Sequence, residues 1–161
     1  MLNIAGITRE SVNDGPGVRV VLYLQGCPHR CEGCQNPDTW DPDAGTQVSV
    51  DLLAETLQTI VTPIHQGITF SGGEPFEQAA TLVTLANQIK SWELDLTIYT
   101  GYTLAGLQRL KSPPVNDLLA LADYLIDGRF MLGARDIGLR WRGSKNQVVY
   151  KKEGGVFVVC T

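Results

Sequence analysis

Apolar positions along the chain follow two spacings, one typical of strands and the other typical of helices. Short runs rich in β-branched and aromatic residues predict strands, whereas apolar residues three and four positions apart predict helices. The predicted strands are residues 18–24, 68–70, 94–98, 124–126, 147–150 and 156–159, with a turn at Gly154 and Gly155 between the last two. The predicted helices are residues 51–61, 76–90 and 115–122, and residues 131–142 are predicted to be irregular.

Strands separated by helices predict repeated βα units and a parallel sheet. A complete eight-fold barrel requires roughly 250 residues, whereas this chain has 161. We therefore expect one α/β domain over residues 1–161, built as a partial (β/α) barrel or a strongly curved open parallel sheet.

Composition narrows the possible functions. With 43% hydrophobic and 19% charged residues, the chain has the balance of a globular protein. No apolar run approaches the roughly 20 residues needed to span a bilayer, and the N-terminus lacks the basic and apolar segments of a signal peptide. The net charge of −4 argues against a large nucleic-acid footprint. We expect a cytoplasmic protein that binds neither membrane nor nucleic acid.

Polar or glycine-rich segments directly follow four of the predicted strands. They are the loop that begins after Leu24 and the segments 71–75, 100–102 and 127–129. In parallel α/β folds, ligands bind at the carboxyl ends of the strands. We therefore expect these four segments to meet at one edge of the sheet and to form the active site there.

The first of these segments holds three cysteines. Three residues separate Cys27 from Cys31, and two separate Cys31 from Cys34, while Cys160 lies apart near the C-terminus. Clustered thiols in a reducing compartment indicate a metal site. An iron–sulfur cluster held by three thiolates would leave one iron open for a ligand. Zinc is the alternative, with His29 or Cys160 as the fourth ligand.

Gly72, Gly73 and Glu74 have two interpretations. Glycines let a ligand approach the backbone closely, and Glu74 could accept hydrogen bonds from an ammonium group. Alternatively, they form a tight turn with Pro75 in the first helical position. Beside a metal loop, ligand binding is the favoured interpretation.

These motifs together resemble a known family. The cysteine spacing in residues 27–34 resembles that of the radical S-adenosylmethionine (SAM) enzymes, and Gly72-Gly73-Glu74 resembles their motif for binding the methionine amino group. The chain is more similar to the small activating enzymes of glycyl-radical proteins at residues 14–17, 25–27 and 36–40. Within that group it resembles the activases of anaerobic (class III) ribonucleoside-triphosphate reductase at residues 100–102, 127–130 and 141–147.

The resemblance implies a radical mechanism. Cys27, Cys31 and Cys34 would each bind one iron of a [4Fe-4S] cluster, and the open fourth iron would bind SAM through its amino and carboxylate groups. An electron from a donor such as flavodoxin or ferredoxin would cleave SAM to methionine and a 5′-deoxyadenosyl radical. That radical would take a hydrogen atom from a glycine of the partner, the anaerobic reductase. An incomplete barrel would leave an opening for the partner's glycine loop.

The resemblance also implies roles for individual residues. Gly72, Gly73 and Glu74 would meet the methionyl ammonium, and Gly33, Cys34 and Gln35 would lie against the adenosine. Arg129 would lie near the substrate carboxylate, and Asp127 would orient Arg129 or face the site. Arg142 and Asn146 would lie at the far side of the pocket or at the partner surface.

Two features depart from the family pattern. Gly33 stands where many members have an aromatic residue that packs near the adenine, and Cys160 matches no family motif. Three other functions stay open on the sequence: activation of another glycyl-radical enzyme such as pyruvate formate-lyase, a small-molecule radical reaction like that of 7-carboxy-7-deazaguanine synthase, and a zinc-stabilised binding module.

Overall fold

A computed structural model describes residues 1–160 as one eight-stranded sheet with helices against it. The strands are β1 (Leu2–Ser11), β2 (Val18–Leu24), β3 (Thr46–Val48), β4 (His65–Gly72), β5 (Asp95–Tyr99), β6 (Tyr124–Asp127), β7 (Val148–Glu153) and β8 (Val156–Val159). The helices are α1 (Val50–Ile60), α2 (Ala79–Ser91), α3 (Leu104–Arg109) and α4 (Pro113–Leu121). Short 3₁₀ turns cover Pro37–Thr39, Pro75–Gln78 and Leu132–Ala134.

The spatial order of the strands is β3-β1-β2-β4-β5-β6-β7-β8. The four central strands, β2, β4, β5 and β6, are parallel, and the two strands on each side of them are antiparallel. The predicted α/β fold with an open parallel sheet is thus confirmed for its centre. Within residues 1–160, no helix has the length and apolar character needed to cross a membrane.

The sequence prediction missed parts of this sheet. The strands β1 and β3 were not predicted, and β4 begins at His65, three residues before the predicted strand 68–70. His65 is buried there, and its ring bonds the backbone carbonyl of Arg9 in β1 and the backbone N–H of Thr62. A buried histidine with two backbone partners can occupy a strand end without exposing a polar group.

One face of the sheet packs against the helices through apolar side chains in register. Leu22, Phe70, Ile98 and Leu125 are consecutive partners across the four parallel strands, and all are fully buried. Burial of each such side chain stabilises the fold by roughly 1.5–3 kcal/mol. The helices contribute the other side of this core, including Leu53, Leu57, Leu82, Leu85, Ile89 and Leu118.

The opposite face of the parallel strands carries polar side chains together with the buried Val21 and Ile126, and the loop between β1 and β2 packs against it. Thr69 and Thr97 are fully buried on this face. Because Leu96 and Ile98 are buried on the other face, the side chains of β5 are buried on both faces of the sheet. The Thr69 hydroxyl donates to the carbonyl of Asp14 in the covering loop, and Nη1 of the buried Arg19 donates to Pro16 O. This face leads up to the cavity at the carboxyl ends of the strands.

Candidate functional site

The carboxyl ends of the parallel strands surround a cavity of about 960 Å³. Its volume is near the upper end of the range for small-molecule sites, roughly 300–1,000 Å³. All four polar segments that follow the predicted strands contribute to its lining. They provide Cys27, His29, Cys31, Cys34, Gln35, Ser71, Gly72, Gly73, Thr100, Gly101, Gly128 and Arg129. The structure therefore brings the four segments together at one edge of the sheet.

The cysteine loop leaves β2 as irregular backbone held at its two ends. The backbone N–H groups of Gly26 and Cys27 donate to the carbonyls of Thr39 and Trp40, which closes the loop at its base. Within it, the backbone N–H of Cys34 donates to the carbonyl of Cys31 at 3.1 Å. The three thiols are free and partly exposed, and all three line the cavity.

The cysteines are not arranged as ligands of a single ion. Within residues 1–160, no three His, Cys, Asp or Glu side chains converge on one point as the ligands of one metal ion do. A four-iron cluster has a different requirement, because each thiolate binds a different iron. Free thiols on one loop beside a large cavity are the donor set that such a cluster takes. Burial raises the pKa of the Cys27 thiol, and the nearby Glu74 carboxylate raises it further.

Cys160 lies away from this loop. It follows β8, which four other strands separate from β2 in the sheet, and it does not line the cavity. Its backbone N–H donates to the carbonyl of Val149. The other residue considered as a fourth zinc ligand, His29, has its Nε2 atom 2.7 Å from the Glu74 carboxylate.

Gly72 and Gly73 bring the segment after β4 into direct contact with the strand that leads to the cysteines. A Cβ atom on Gly73 would lie 2.3 Å from the carbonyl oxygen of Gly26, and one on Gly72 would lie 2.7 Å from backbone atoms of Leu24. The backbone N–H of Gly73 donates to Leu24 O, and that of Glu74 donates to Gly26 O, both at 2.8 Å. The glycines thus have a packing role, and their backbone also lines the cavity.

Glu74 is buried beneath the cavity wall with both carboxylate oxygens engaged. Oε1 accepts from the backbone N–H of Phe76 and from the Thr100 hydroxyl, while Oε2 accepts from His29 Nε2 and from the Gly101 N–H. This carboxylate therefore links the segments that follow β2, β4 and β5. Its exposed fraction is 1%, and the cavity lining is formed by its glycine neighbours instead.

His29 fits into this arrangement because position 101 has no side chain. A Cβ on Gly101 would lie 2.3 Å from Cδ2 of the imidazole. On its other side the imidazole packs edge-on against Tyr102, with ring centroids 4.6 Å apart. Burial, together with its hydrogen bond to Glu77, raises the pKa of Tyr102.

Gly33 lies beside two apolar side chains from the segment after β6. A Cβ on Gly33 would be 3.0 Å from Leu132 Cδ1 and 3.3 Å from Phe130 Cε1. Phe130 also lines the cavity. An aromatic ring thus lies beside position 33, although it comes from a distant part of the chain for which the sequence predicted no such role.

Asp127 and Arg129 have separate environments. The carboxylate of Asp127 is buried and accepts from the backbone N–H groups of Leu104 in α3 and Val148 in β7. Burial raises its pKa, although those two hydrogen bonds act in the opposite direction. Asp127 does not line the cavity and forms no ion pair with Arg129, whose side chain is exposed at the cavity.

The segment predicted to be irregular forms one wall of the cavity. Arg142 is at this wall, with Nη1 donating to the backbone carbonyl of Gln147, and the amide of Asn146 donates to the carbonyl of Arg129. The other residues that this segment adds to the lining are Arg135, Asp136, Ile137, Leu139, Arg140, Trp141 and Gly143. Apart from Trp141 and Gly143, which belong to the matched segment 141–147, these residues had no predicted role, because the segment lacks a regular apolar period.

Comparisons with known proteins give consistent results. The family model of the 4Fe-4S single cluster domain matches residues 13–150. The chain is 36% identical over 148 residues to the anaerobic ribonucleoside-triphosphate reductase-activating protein of Vibrio cholerae, covering 87% of this chain and 92% of that protein. It is 32% identical to the protein of that name from Enterobacteria phage T4, covering 89% of this chain and 90% of the phage protein.

A solved structure is also similar. The crystal structure of QueE from Escherichia coli matches 63% of this chain and 52% of its own, with a TM-score of 0.44 and 22% sequence identity.

Proposed function

This chain belongs to the family of anaerobic ribonucleoside-triphosphate reductase-activating proteins, and from that premise we propose that it cleaves SAM reductively and generates a glycyl radical on the anaerobic reductase. The chain has the iron–sulfur domain of an activating enzyme. One observation carries the proposal: three free thiols and the backbone of Gly72 and Gly73 line a single cavity at the carboxyl ends of the parallel strands.

In this proposal Cys27, Cys31 and Cys34 each bind one iron of a [4Fe-4S] cluster, and the fourth iron is left for SAM. When bound and reduced, the cluster would supply the one electron needed to cleave the sulfonium C5′–S bond of SAM, which would give methionine and the 5′-deoxyadenosyl radical that takes a hydrogen atom from a glycine of the reductase. The chain's own contribution is to bind, orient and shield these groups.

The backbone of Gly72 and Gly73 binds the methionyl ammonium. Backbone carbonyls that line the cavity can accept from an ammonium group, and the absence of side chains allows its close approach. Glu74 supports this contact from below, because its four hydrogen bonds hold the glycines in place. Its role is therefore to position the binding segment.

The adenosine lies against the backbone at Gly33, Cys34 and Gln35. The Phe130 ring beside Gly33 supports this assignment, since it supplies an aromatic face where the chain has no side chain at position 33. Arg129, which is exposed at the same cavity, binds the carboxylate of the methionyl group. Asp127 holds the start of α3 and the start of β7, which orients the segment that carries Arg129.

The partner is the anaerobic ribonucleoside-triphosphate reductase, and the electron donor is a low-potential protein such as flavodoxin or ferredoxin. The target glycine belongs to a folded polypeptide, so its loop must enter the open side of the cavity. The antiparallel edge strands leave the sheet open rather than closing it into a barrel, which is consistent with such an entry route.

Electron paramagnetic resonance (EPR) on the anaerobically reconstituted, reduced protein tests this proposal. We expect a four-iron signal that changes when SAM is added, and a glycyl radical signal when the reductase and SAM are both present. Absence of an iron signal, together with stoichiometric zinc in elemental analysis, would refute the radical mechanism. A SAM-dependent signal without a glycyl radical on the reductase would refute the assigned partner.

A further inference from the structure

Positive charge is concentrated in one segment of this acidic chain. Residues 129–145, which we call the arginine segment, contain five basic residues and one acidic residue, a net charge of +4. The whole chain has a net charge of −4, so the other residues together carry −8. The arginine segment thus creates a positive region at the cavity wall, within an otherwise negative molecule.

The basic side chains of this segment lack acidic partners within the described residues. Arg129, Arg135, Arg140 and Lys145 are exposed, and no salt bridge in residues 1–160 involves any of them. Arg142 instead donates to the backbone carbonyl of Gln147. Four arginines line the cavity, although SAM offers a single carboxylate and is itself cationic at its sulfonium and ammonium groups. The cofactor therefore leaves most of this positive charge unmatched.

Apolar side chains are exposed among these charges. Ile137 is 89% exposed, Met131 53% and Leu132 45%. Exposed aliphatic side chains in the same segment as unpaired basic residues are typical of a protein-binding surface rather than of a surface that contacts water alone. A nucleic acid would match the charge, but it would leave these aliphatic side chains without a complementary surface.

Hydrogen bonds hold the arginine segment in a defined shape. The Gln147 side-chain oxygen accepts from the backbone N–H groups of Gly143 and Ser144, and the Lys145 N–H donates to Ala134 O at 2.9 Å. The Tyr99 hydroxyl, at the end of β5, donates to the carbonyl of Trp141. The arginine segment is thus fixed to the sheet next to the cavity. A partner can therefore bind it without the entropic cost of ordering a flexible loop.

We propose that the arginine segment is the docking surface for an acidic stretch of the reductase, next to the glycine that enters the cavity. This inference rests on the proposed function, because that function requires a polypeptide at this opening. Arg135 and Arg140 pair with the partner's carboxylates, and Ile137 packs against an apolar residue among them. Charge attraction raises the rate of encounter, and the apolar contact fixes the register of the loop.

Binding of the cluster-loaded chain to purified anaerobic ribonucleoside-triphosphate reductase tests this surface. The double variant Arg135→Glu/Arg140→Glu should weaken binding by about tenfold or more at low ionic strength, with a smaller effect at high salt. Ile137→Asp should weaken it at both salt concentrations. The matched control is Arg9→Glu/Lys151→Glu, which reverses two exposed charges on β1 and β7 away from the cavity. It should change binding by less than about twofold.

SAM cleavage without the reductase, driven by a chemical reductant and measured as 5′-deoxyadenosine, separates docking from chemistry. In both variants of the arginine segment it should fall by a much smaller factor than reductase binding, because SAM offers one carboxylate, which is assigned to Arg129. Equal weakening by the control, or unchanged binding by the double variant, would overturn the proposal. Loss of uncoupled cleavage to the same extent as binding would also overturn it. So would the finding that the double variant abolishes self-association of the chain, or that the double variant abolishes binding to duplex DNA. A wild-type chain that binds the reductase but cleaves no SAM would refute the proposed function and leave the docking measurement valid.

Discussion

His29 Nε2 lies 2.7 Å from Glu74 Oε2, and both side chains are buried. The histidine belongs to the cysteine loop after β2, and the glutamate to the glycine segment after β4. The Gly101 N–H, after β5, donates to the same carboxylate oxygen at 2.8 Å. A single carboxylate therefore fixes the positions of three of the segments that line the cavity, including the two proposed to hold the cluster and SAM.

Substitution of His29 should separate cluster assembly from SAM binding. The His29→Ala variant keeps all three cysteines, so its iron content should stay near that of the wild type. Its apparent SAM affinity should fall about tenfold, because a buried hydrogen bond to a charged group contributes roughly 1.5–3 kcal/mol. The measurement is a SAM titration of the EPR signal of the reduced cluster.

The conservative variant His29→Gln provides the control, since its amide N–H can donate to Glu74 in place of the imidazole. It should recover part of the SAM affinity. An alanine variant that binds SAM as tightly as the wild type would show that the contact with Glu74 does not position the cofactor segment.

Gly73 should not tolerate a side chain, because the nearest atoms to a Cβ there are backbone atoms of Gly26. The Gly73→Ala variant should lower the free energy of unfolding by about 2 kcal/mol, in the range for overpacking, and should abolish the SAM-dependent EPR change. Gly6→Ala is the control, since a Cβ at Gly6 has nothing within 4 Å. Urea denaturation of both variants compares them, and equal stability would show that the close contact between the segments is not required.

The convergence of polar segments could be predicted from the sequence because it depends on local patterns and one general rule. Each parallel strand is an apolar run followed by polar or glycine residues, and parallel strands place such ends at one edge. The strand β1 could not be predicted in this way. Its pairing with β2 shifts register between Ile4 and Gly6 and again between Thr8 and Ser11, which disrupts the alternation of apolar residues.

The detailed site depends on contacts between distant residues, which a local pattern does not contain. The glycine pair was interpreted as a ligand contact, whereas the structure adds a packing reason that comes from Gly26. The ring beside Gly33 comes from Phe130, almost a hundred residues further along the chain. The resemblance gave Asp127 the role of orienting Arg129 or facing the site, whereas its carboxylate accepts from backbone N–H groups in α3 and β7.

Substitution of Cys27, Cys31 or Cys34 should change the metal content of the protein, whereas substitution of Cys160 should not. Alanine at position 27, 31 or 34 should prevent assembly of a stable four-iron cluster, because the cluster would lose one of its three protein ligands. The Cys160→Ala variant should retain the wild-type iron and sulfide content, since its thiol lies outside the cavity. Iron and sulfide analysis after anaerobic reconstitution makes the comparison. Loss of bound metal in Cys160→Ala, with zinc in the wild type, would favour the zinc site instead.

The buried Arg19 should make the fold sensitive to loss of Asp95. Arg19 is fully buried, and Asp95 is its ion-pair partner. Its guanidinium also donates to the Thr69 hydroxyl and to the carbonyls of Pro16 and Ile68. Asp95→Ala leaves the guanidinium charge buried without a counter-charge, so the free energy of unfolding should fall by about 3 kcal/mol.

A matched pair on the surface provides the control for this effect. Lys90 and Asp123 form an ion pair that is about one-third exposed, so Lys90→Ala should change stability by less than about 1 kcal/mol. The double variant Arg19→Met/Asp95→Ala should recover part of the stability lost in Asp95→Ala, because no buried charge remains to be compensated. Urea denaturation of the three variants and the wild type measures these differences. If Asp95→Ala were no more destabilising than Lys90→Ala, the remaining hydrogen bonds from Arg19 to Thr69, Pro16 and Ile68 would be sufficient to stabilise its buried charge.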